Sequence, residues 1–152
     1  MDEFFMAQAL IEAKKAYDKG EIPIGCVVVK NGQIIGKGHN QKEEKNNALY
    51  HGEIMALNEA TKNLGSWWLE DCSVYVTLEP CAMCAGAMLN ARIGKLYVGT
   101  RDPRMGACGS AIDLTKQPTF NHTFPVVFGL LQDQCSQILT DFFKELRKNK
   151  KK

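Results

Sequence analysis

The amino-acid sequence predicts an α/β protein, a three-layer α/β/α sandwich on a five-stranded mixed sheet. Helix-like segments and short β-branched runs follow one another in the order α-β-β-α-β-α-β-β-α, which is typical of helices packed on both faces of a sheet. The Asn31-Gly32 pair between the first two runs is the strongest short hairpin signal. The 152 residues, 45% hydrophobic and 24% charged, indicate one globular domain over 1–152.

The first half of the chain predicts a helix, a hairpin and a loop. Apolar residues recur at helical spacing near the N-terminus, where Asp2 is the predicted N-cap and Gly20 the predicted stop. The next two runs are short and β-branched, and the polar stretch after them lacks periodicity. The predicted segments are a helix between Asp2 and Gly20, strands over 24–29 and 33–38, and a loop over 39–50.

The second half predicts strands connected by helices, as parallel strand pairs require. Gly65 is expected to end the second helix. The predicted segments are helices over 51–63, 81–89 and 132–147, strands over 73–78, 95–100 and 126–130, and a basic loop over 101–110. The predicted inner faces are Ile54, Leu57, Thr61 and Leu64 on the second helix, and Cys135, Ile138, Leu139, Phe142, Phe143 and Leu146 on the last.

Charge and hydropathy narrow the class of protein. No apolar run approaches the ~20 residues of a membrane span, and the acidic N-terminus does not resemble a signal peptide, so we expect a cytoplasmic protein without a membrane partner. The net charge is −4 over residues 1–91, +3 over 92–116 and +5 over the tail 144–152. Separated basic patches suit a polyanion such as nucleic acid, although a lysine-rich tail is also typical of a solvated, frayed end.

The six cysteines fall into two groups. A reducing cytosol disfavours disulfides, so the scattered cysteines are expected to be small core residues. Cys81 and Cys84 instead form a C-x-x-C pair. The scattered ones are Cys26, Cys72, Cys108 and Cys135.

Two short motifs predict a metal site. His51-Gly52-Glu53 and Pro80-Cys81-Ala82-Met83-Cys84 each stand where a loop or strand enters a helix. Cys81 and Cys84 point the same way on a first helical turn, where the helix dipole favours thiolates. With His51 they offer one imidazole and two thiolates, which suit a catalytic zinc with an open fourth position. Glu53 is then close enough to take a proton from a metal-bound water.

Two other interpretations of these motifs stay open. A lone C-x-x-C also occurs as a redox pair, but it leaves the His51-Gly52-Glu53 triplet unexplained. A structural zinc needs a fourth protein ligand, for which His39 and Cys72 are the candidates.

The pairing of H-x-E with P-C-x-x-C resembles the signature of the zinc nucleobase deaminases, which implies a cytidine deaminase-like fold. Over nearly its whole length the chain further resembles the bacterial tRNA adenosine deaminases, which convert the wobble adenosine of an anticodon to inosine. Gly52 stands where alanine is usual in that branch. The matching segments beyond the zinc motifs are 22–25, 38–40, 53–57, 77–88, 92–94, 101–110, 120–122 and 141–143.

The resemblance implies a mechanism and a set of site residues. His51, Cys81 and Cys84 would hold one Zn²⁺ per subunit, zinc-bound hydroxide would attack C6 of adenine, and Glu53 would shuttle the protons. Asn40 would hydrogen-bond the adenosine, although alone it is typical of a turn. Asp102 would contact the sugar-phosphate of a flanking nucleotide, although before Pro103 it also suits a loop-starting cap.

The same resemblance implies partners. The substrate would be a tRNA anticodon stem-loop, and the protein a homodimer. Trp67 and Trp68 are expected in the core or a dimer interface rather than against bases. The alternatives are a deaminase of free bases or nucleotides (cytosine, guanine or dCMP type) and a non-catalytic zinc protein that binds RNA. The basic residues expected to bind phosphates are Arg101, Arg104, Lys144, Arg147 and the terminal lysines.

Overall fold

The structure, a computed structural model, describes residues 1–150. Its helices and strands follow the predicted order, and most ends lie within two residues of the predicted ones. The elements are α1 (Asp2–Asp18), β1 (Gly25–Lys30), β2 (Gln33–His39), α2 (Gly52–Leu64), β3 (Cys72–Leu78), α3 (Ala82–Ala91), β4 (Lys95–Thr100), β5 (Val126–Phe128) and α4 (Gln132–Lys150).

The sheet is mixed, as predicted, with strand order β2-β1-β3-β4-β5. Strand β1 pairs antiparallel with β2 and β3, whereas β3–β4 and β4–β5 are parallel. The hairpin turn is confirmed, since Asn31 and Gly32 both have positive φ. The prediction that helices link the parallel strands is wrong for β4 and β5. Residues 101–125 join them without a helix, and side-chain hydrogen bonds hold this irregular crossover.

Each face of the sheet carries two helices. Successive side chains of a strand point to opposite faces, so Val28 and Val76 pack under α2 and α3 while Val27 and Tyr75 pack under α1 and α4. All four side chains are buried. The three-layer sandwich is therefore confirmed. The four scattered cysteines are buried in it, as expected.

Helix α2 lies unusually close to β2. A Cβ atom at Gly36 would stand 2.3 Å from the carbonyl oxygen of Ala56, and one at Gly38 would stand 2.3 Å from that of Gly52. The buried side of α2 therefore consists mainly of small residues.

The predicted inner face of α2 is partly wrong for this reason. Leu57 is buried, but Ile54, Thr61 and Leu64 are only half-buried, and the stripe runs through Gly52, Glu53, Ala56 and Ala60.

The start of α1 and the exposure of several apolar side chains also differ from the predictions. Helix α1 begins at Asp2 itself, with Met1 as the N-cap. Phe143 and Leu146 of α4 are 38% and 40% exposed, so the predicted inner face of this helix is wrong at these two positions. Trp67 and Trp68 are not core residues; they are 61% and 48% exposed and stack on each other.

The basic tail is helical over most of its length, since α4 continues to Lys150. Gly20 and Gly65 follow α1 and α2 with positive φ, so both predicted stops are confirmed. Within residues 1–150 no helix is long and apolar enough to cross a membrane. The predicted phosphate contacts of Lys151 and Lys152 lie outside the described residues.

Candidate active site

The starts of α2 and α3 meet near the carboxyl ends of β2 and β3. His51 is the N-cap residue of α2 and Cys81 is the N-cap residue of α3, and both have extended backbone angles. The side-chain oxygen of Asn40 accepts a hydrogen bond from the Gly52 N–H at 2.8 Å and so caps α2 from the preceding loop. A methyl at Gly52 would approach two backbone atoms to 3.1 Å, a smaller conflict than at Gly38.

The structure brings His51, Cys81 and Cys84 into one cluster whose ligand atoms all lie within 4.8 Å of one another. His51 Nδ1 lies 3.7 Å from Cys81 Sγ and 3.5 Å from Cys84 Sγ. Tetrahedral zinc with bonds of about 2.05 Å to nitrogen and 2.3 Å to sulfur places such donors about 3.6 Å apart. The two nitrogen–sulfur distances therefore match those of a zinc site.

The pKa values of the two cysteine thiols also favour the binding of a cation. A hydrogen bond from Cys84 lowers the pKa of Cys81 to about 4, against the opposing effect of burial. The same hydrogen bond and burial raise the pKa of Cys84 well above its usual value. The pair thus shares one negative charge and one proton, and a divalent cation would replace that proton. The hydrogen bond to Cys81 raises the pKa of His51.

Glu53 lies in the first turn of α2, where it is 3% exposed. Within the described chain its Oε1 atom is buried without a hydrogen-bond partner. Burial raises the pKa of this carboxyl to about 7. Because an unpaired buried polar atom costs about 1–3 kcal/mol, the orphaned oxygen indicates a partner from outside the chain, such as water or substrate.

Neither candidate for a fourth protein ligand joins the cluster. His39 Nδ1 lies 3.2 Å from Glu12 Oε1, and its Nε2 lies 3.3 Å from Lys19 Nζ. Cys72 begins β3, at the opposite end of the strand from Cys81. Over residues 1–150 the cluster consists of three residues, which leaves one coordination position for a non-protein ligand.

The other predicted site residues have hydrogen-bond or ring partners of their own. Asn40 is buried at the start of α2. Asp102 Oδ1 accepts the N–H groups of Arg104 and Met105 at 3.1 Å, so this residue does cap its own loop. The guanidinium of Arg101 lies 3.7 Å above the Phe128 ring.

A surface groove of about 310 Å³ runs from the ends of β3 and β4 to α4. Arg101 and Arg147 line it, together with the exposed ring of Phe143. Two cations and an aromatic ring are the groups that bind phosphates and stacked bases in single-stranded nucleic acid.

Sequence reasoning missed Glu79, whose carboxylate is buried beside the metal-ligand motif and accepts hydrogen bonds from the 101–110 loop. The available signal was a charged residue at the end of a buried strand, directly before Pro80.

Comparisons with known proteins agree with this geometry. Residues 1–147 match the family described as MafB19-like deaminase. The tRNA-specific adenosine deaminase of Bacillus subtilis is 47% identical over 150 residues, covering 99% of this chain and 93% of the relative.

Two solved structures are similar in fold. One, from a study of A-to-I editing by tRNA:A34 deaminases at the wobble position, has a TM-score of 0.86 and 41% identity, covering 90% of this chain and 99% of that chain. The other, a guanine deaminase from Nitrosomonas europaea, has a TM-score of 0.77 over 92% of this chain and 83% of its own. At 22% identity this second likeness shows the fold alone. By sequence and structure together, the chain belongs to the tRNA-specific adenosine deaminase family.

Proposed function

We propose that this protein is a zinc-dependent hydrolase that converts adenosine to inosine at the wobble position of a tRNA anticodon. The observation that carries the proposal is the cluster of His51, Cys81 and Cys84, which leaves one coordination position free near the unpaired carboxylate oxygen of Glu53. Membership of the tRNA-specific adenosine deaminases supports adenosine in tRNA as the substrate.

His51, Cys81 and Cys84 would hold one zinc ion per chain, since imidazole nitrogen and thiolate sulfur are preferred zinc ligands. When bound, zinc with three protein ligands lowers the pKa of a water in its fourth position toward about 7 and thereby supplies hydroxide at neutral pH. The helix starts at His51 and Cys81 present N–H dipoles to the site, which stabilise the negative charge of the sulfurs.

Glu53 would move the protons. Its carboxylate would take the first proton from the attacking water and deliver it to N1 of adenine. It would then take the second proton from the new hydroxyl group on C6 and pass it to the amino group, which leaves as ammonia. C6 gains an oxygen and loses the amino nitrogen, so adenosine and water become inosine and ammonia. A carboxyl group with a pKa of about 7 both accepts and releases protons readily at neutral pH.

The RNA would reach the site as an unstacked loop nucleotide, because a base inside a helix cannot approach a recessed centre. We assign Asn40 to the adenosine and Asp102 to the flanking sugar-phosphate. Arg101, Phe143 and Arg147 along the groove would bind neighbouring phosphates and bases. Affinity for the stem-loop should fall as the salt concentration rises.

We also propose that the protein works as a cytoplasmic homodimer. The exposed pair Trp67 and Trp68 supports an interface, because large apolar side chains at a surface commonly mark one. Light scattering should give twice the 16.9 kDa chain mass. A monomer throughout the micromolar range would contradict this assignment. The cytoplasmic location rests on the proposed tRNA substrate.

The test of the function is a choice between substrates. The metal-loaded protein is incubated with an anticodon stem-loop carrying adenosine at the wobble position, and separately with free adenosine, cytosine and guanine. Mass spectrometry of the digested nucleosides should show a gain of about one dalton, from amine to carbonyl, in the stem-loop only. A stem-loop with guanosine at that position is the control. Turnover of a free base with none of the RNA would overturn the tRNA assignment.

A further inference from the structure

Glu79 is a buried carboxylate that the mechanism above does not use. It is 2% exposed and follows the last residue of β3, two positions before Cys81. Its Oε1 accepts hydrogen bonds from the Asp102 N–H at 3.1 Å and from the Ser110 hydroxyl. Its Oε2 accepts the N–H groups of Cys108 at 3.0 Å and Ser110 at 3.1 Å.

All four donors belong to the 101–110 loop, which follows β4. Among the described residues, no lysine, arginine or histidine forms an ion pair with Glu79. The buried charge is therefore satisfied by the loop itself. A buried carboxylate with several N–H donors forms hydrogen bonds roughly twice as strong as neutral ones.

The shape of the loop is adapted to this carboxylate. A Cβ atom at Gly106 would stand 2.4 Å from Glu79 Cδ, so the loop can close over the carboxylate only with glycine there. The Ala107 N–H donates to the Pro80 carbonyl at 2.8 Å, which adds a backbone link at the same place. The loop is thus fastened to the residue pair directly before the metal-ligand motif.

We propose that Glu79 is the positioning residue for substrate recognition. It fixes the 101–110 loop, and with it Asp102, beside the segment between β3 and Cys81. A nucleotide flanking the edited adenosine is then held in register with the reacting centre. This inference rests on the proposed function, since it needs Asp102 to contact RNA.

The test variant is Glu79→Gln, which keeps the volume of the side chain and changes its hydrogen bonding. Whichever way the amide is oriented, at least one backbone N–H of the loop loses its acceptor and faces an N–H donor. We expect the KM for the stem-loop to rise about tenfold while kcat stays within about threefold, because the loop binds flanking nucleotides rather than the reacting base. Zinc content should stay at one per chain. A loss of zinc and of kcat, with KM unchanged, would show that Glu79 only supports the metal site.

A second readout needs no activity. Trypsin should cleave after the exposed Arg104 about tenfold faster in Glu79→Gln, because the released loop opens more often. Glu21→Gln is the matched control. Glu21 is 3% exposed and accepts two backbone N–H groups, from Glu43 and Glu44, in a different loop. Cleavage after Arg104 should be unchanged in this control, and equal rates in the wild type and Glu79→Gln would overturn the proposal.

A double-mutant cycle tests whether Glu79 acts through Asp102. In an Asp102→Ala background, Glu79→Gln should cost less than about twofold in kcat/KM. Losses that multiply independently would refute the positioning role. If Glu79→Gln does not fold, Ser110→Ala removes the hydroxyl bond to Glu79, together with the acceptor of a 3.3 Å hydrogen bond from Arg101, and it should raise the rate of cleavage after Arg104 about threefold. If trypsin cleaves the wild type more slowly than Glu79→Gln but the wild type edits no stem-loop, the proposed function is refuted. The role of Glu79 in anchoring the loop would still hold.

Discussion

The close approach of α2 to β2 makes Gly38→Ala the most informative structural perturbation. A methyl at position 38 would lie 2.3 Å from the Gly52 carbonyl oxygen and 2.6 Å from the Ala56 nitrogen. Both are backbone atoms, so no side-chain rotation relieves the conflict. Because an ordinary contact begins at 3.4 Å, the N-terminal part of α2 has to retreat by about 1 Å.

Two effects of different size should follow. Overpacking of this kind lowers the free energy of unfolding by about 1–3 kcal/mol, which corresponds to about 2–4 °C in Tm for each kcal/mol. The same shift displaces His51 and Glu53, since they occupy the N-cap and first turn of α2. A displacement of about 1 Å in a reacting group costs on the order of 100-fold in rate. We therefore expect a folded protein with about 1% of the wild-type kcat.

The assay combines urea unfolding, zinc analysis and turnover of the stem-loop. Lys37→Ala is the matched control, because Lys37 precedes Gly38 in β2 and is exposed. It should change the free energy of unfolding by less than about 0.5 kcal/mol and leave turnover unchanged. Wild-type stability and turnover in Gly38→Ala would refute the view that this contact positions the catalytic residues.

Three further predictions concern single side chains. Glu53→Ala should keep zinc and bind the stem-loop but lose about 10⁴-fold in deamination rate, measured by inosine formation; an unchanged rate would remove Glu53 from the mechanism. Cys84→Ala should lower the zinc-to-protein ratio, and a full metal complement would disprove the ligand assignment. Burial raises the pKa of Glu12, but hydrogen bonds with Lys15 and His39 outweigh it and leave the pKa below its usual value. This pairing therefore contributes stability above about pH 4.5 that is lost as the pH falls, so urea unfolding of wild type and Glu12→Gln should differ at pH 7 and converge in acid; equal stability at pH 7 would argue against the pairing.

The elements with a strong local signal could be predicted from the sequence. Strand β4 was predicted over 95–100 and has those bounds, because its apolar run stands between clear breaks. The Asn31-Gly32 turn fixes its own conformation through positive φ at both residues. The motifs at 51–53 and 80–84 could be placed at helix starts because proline, cysteine and polar residues interrupt the apolar pattern there.

What the sequence did not reveal depends on contacts between distant segments. The buried face of α2 consists mainly of small residues, which give a weak hydrophobic pattern. The larger residues Ile54 and Thr61 therefore led to the wrong face being predicted. Its true side is set by Gly36 and Gly38 on another strand. The role of Glu79 depends on donors 23 to 31 residues away, and no periodic pattern encodes such pairs.

The central claim is that three side chains bind a catalytic zinc and leave one position for a non-protein ligand. Zinc X-ray absorption of the purified protein, combined with metal analysis, tests it most directly. We predict one zinc per chain with one nitrogen ligand at about 2.0–2.1 Å, two sulfur ligands at about 2.3 Å and one further light atom that an added substrate analogue displaces. A shell closed by a fourth protein ligand, or full editing activity in protein without metal, would contradict the account.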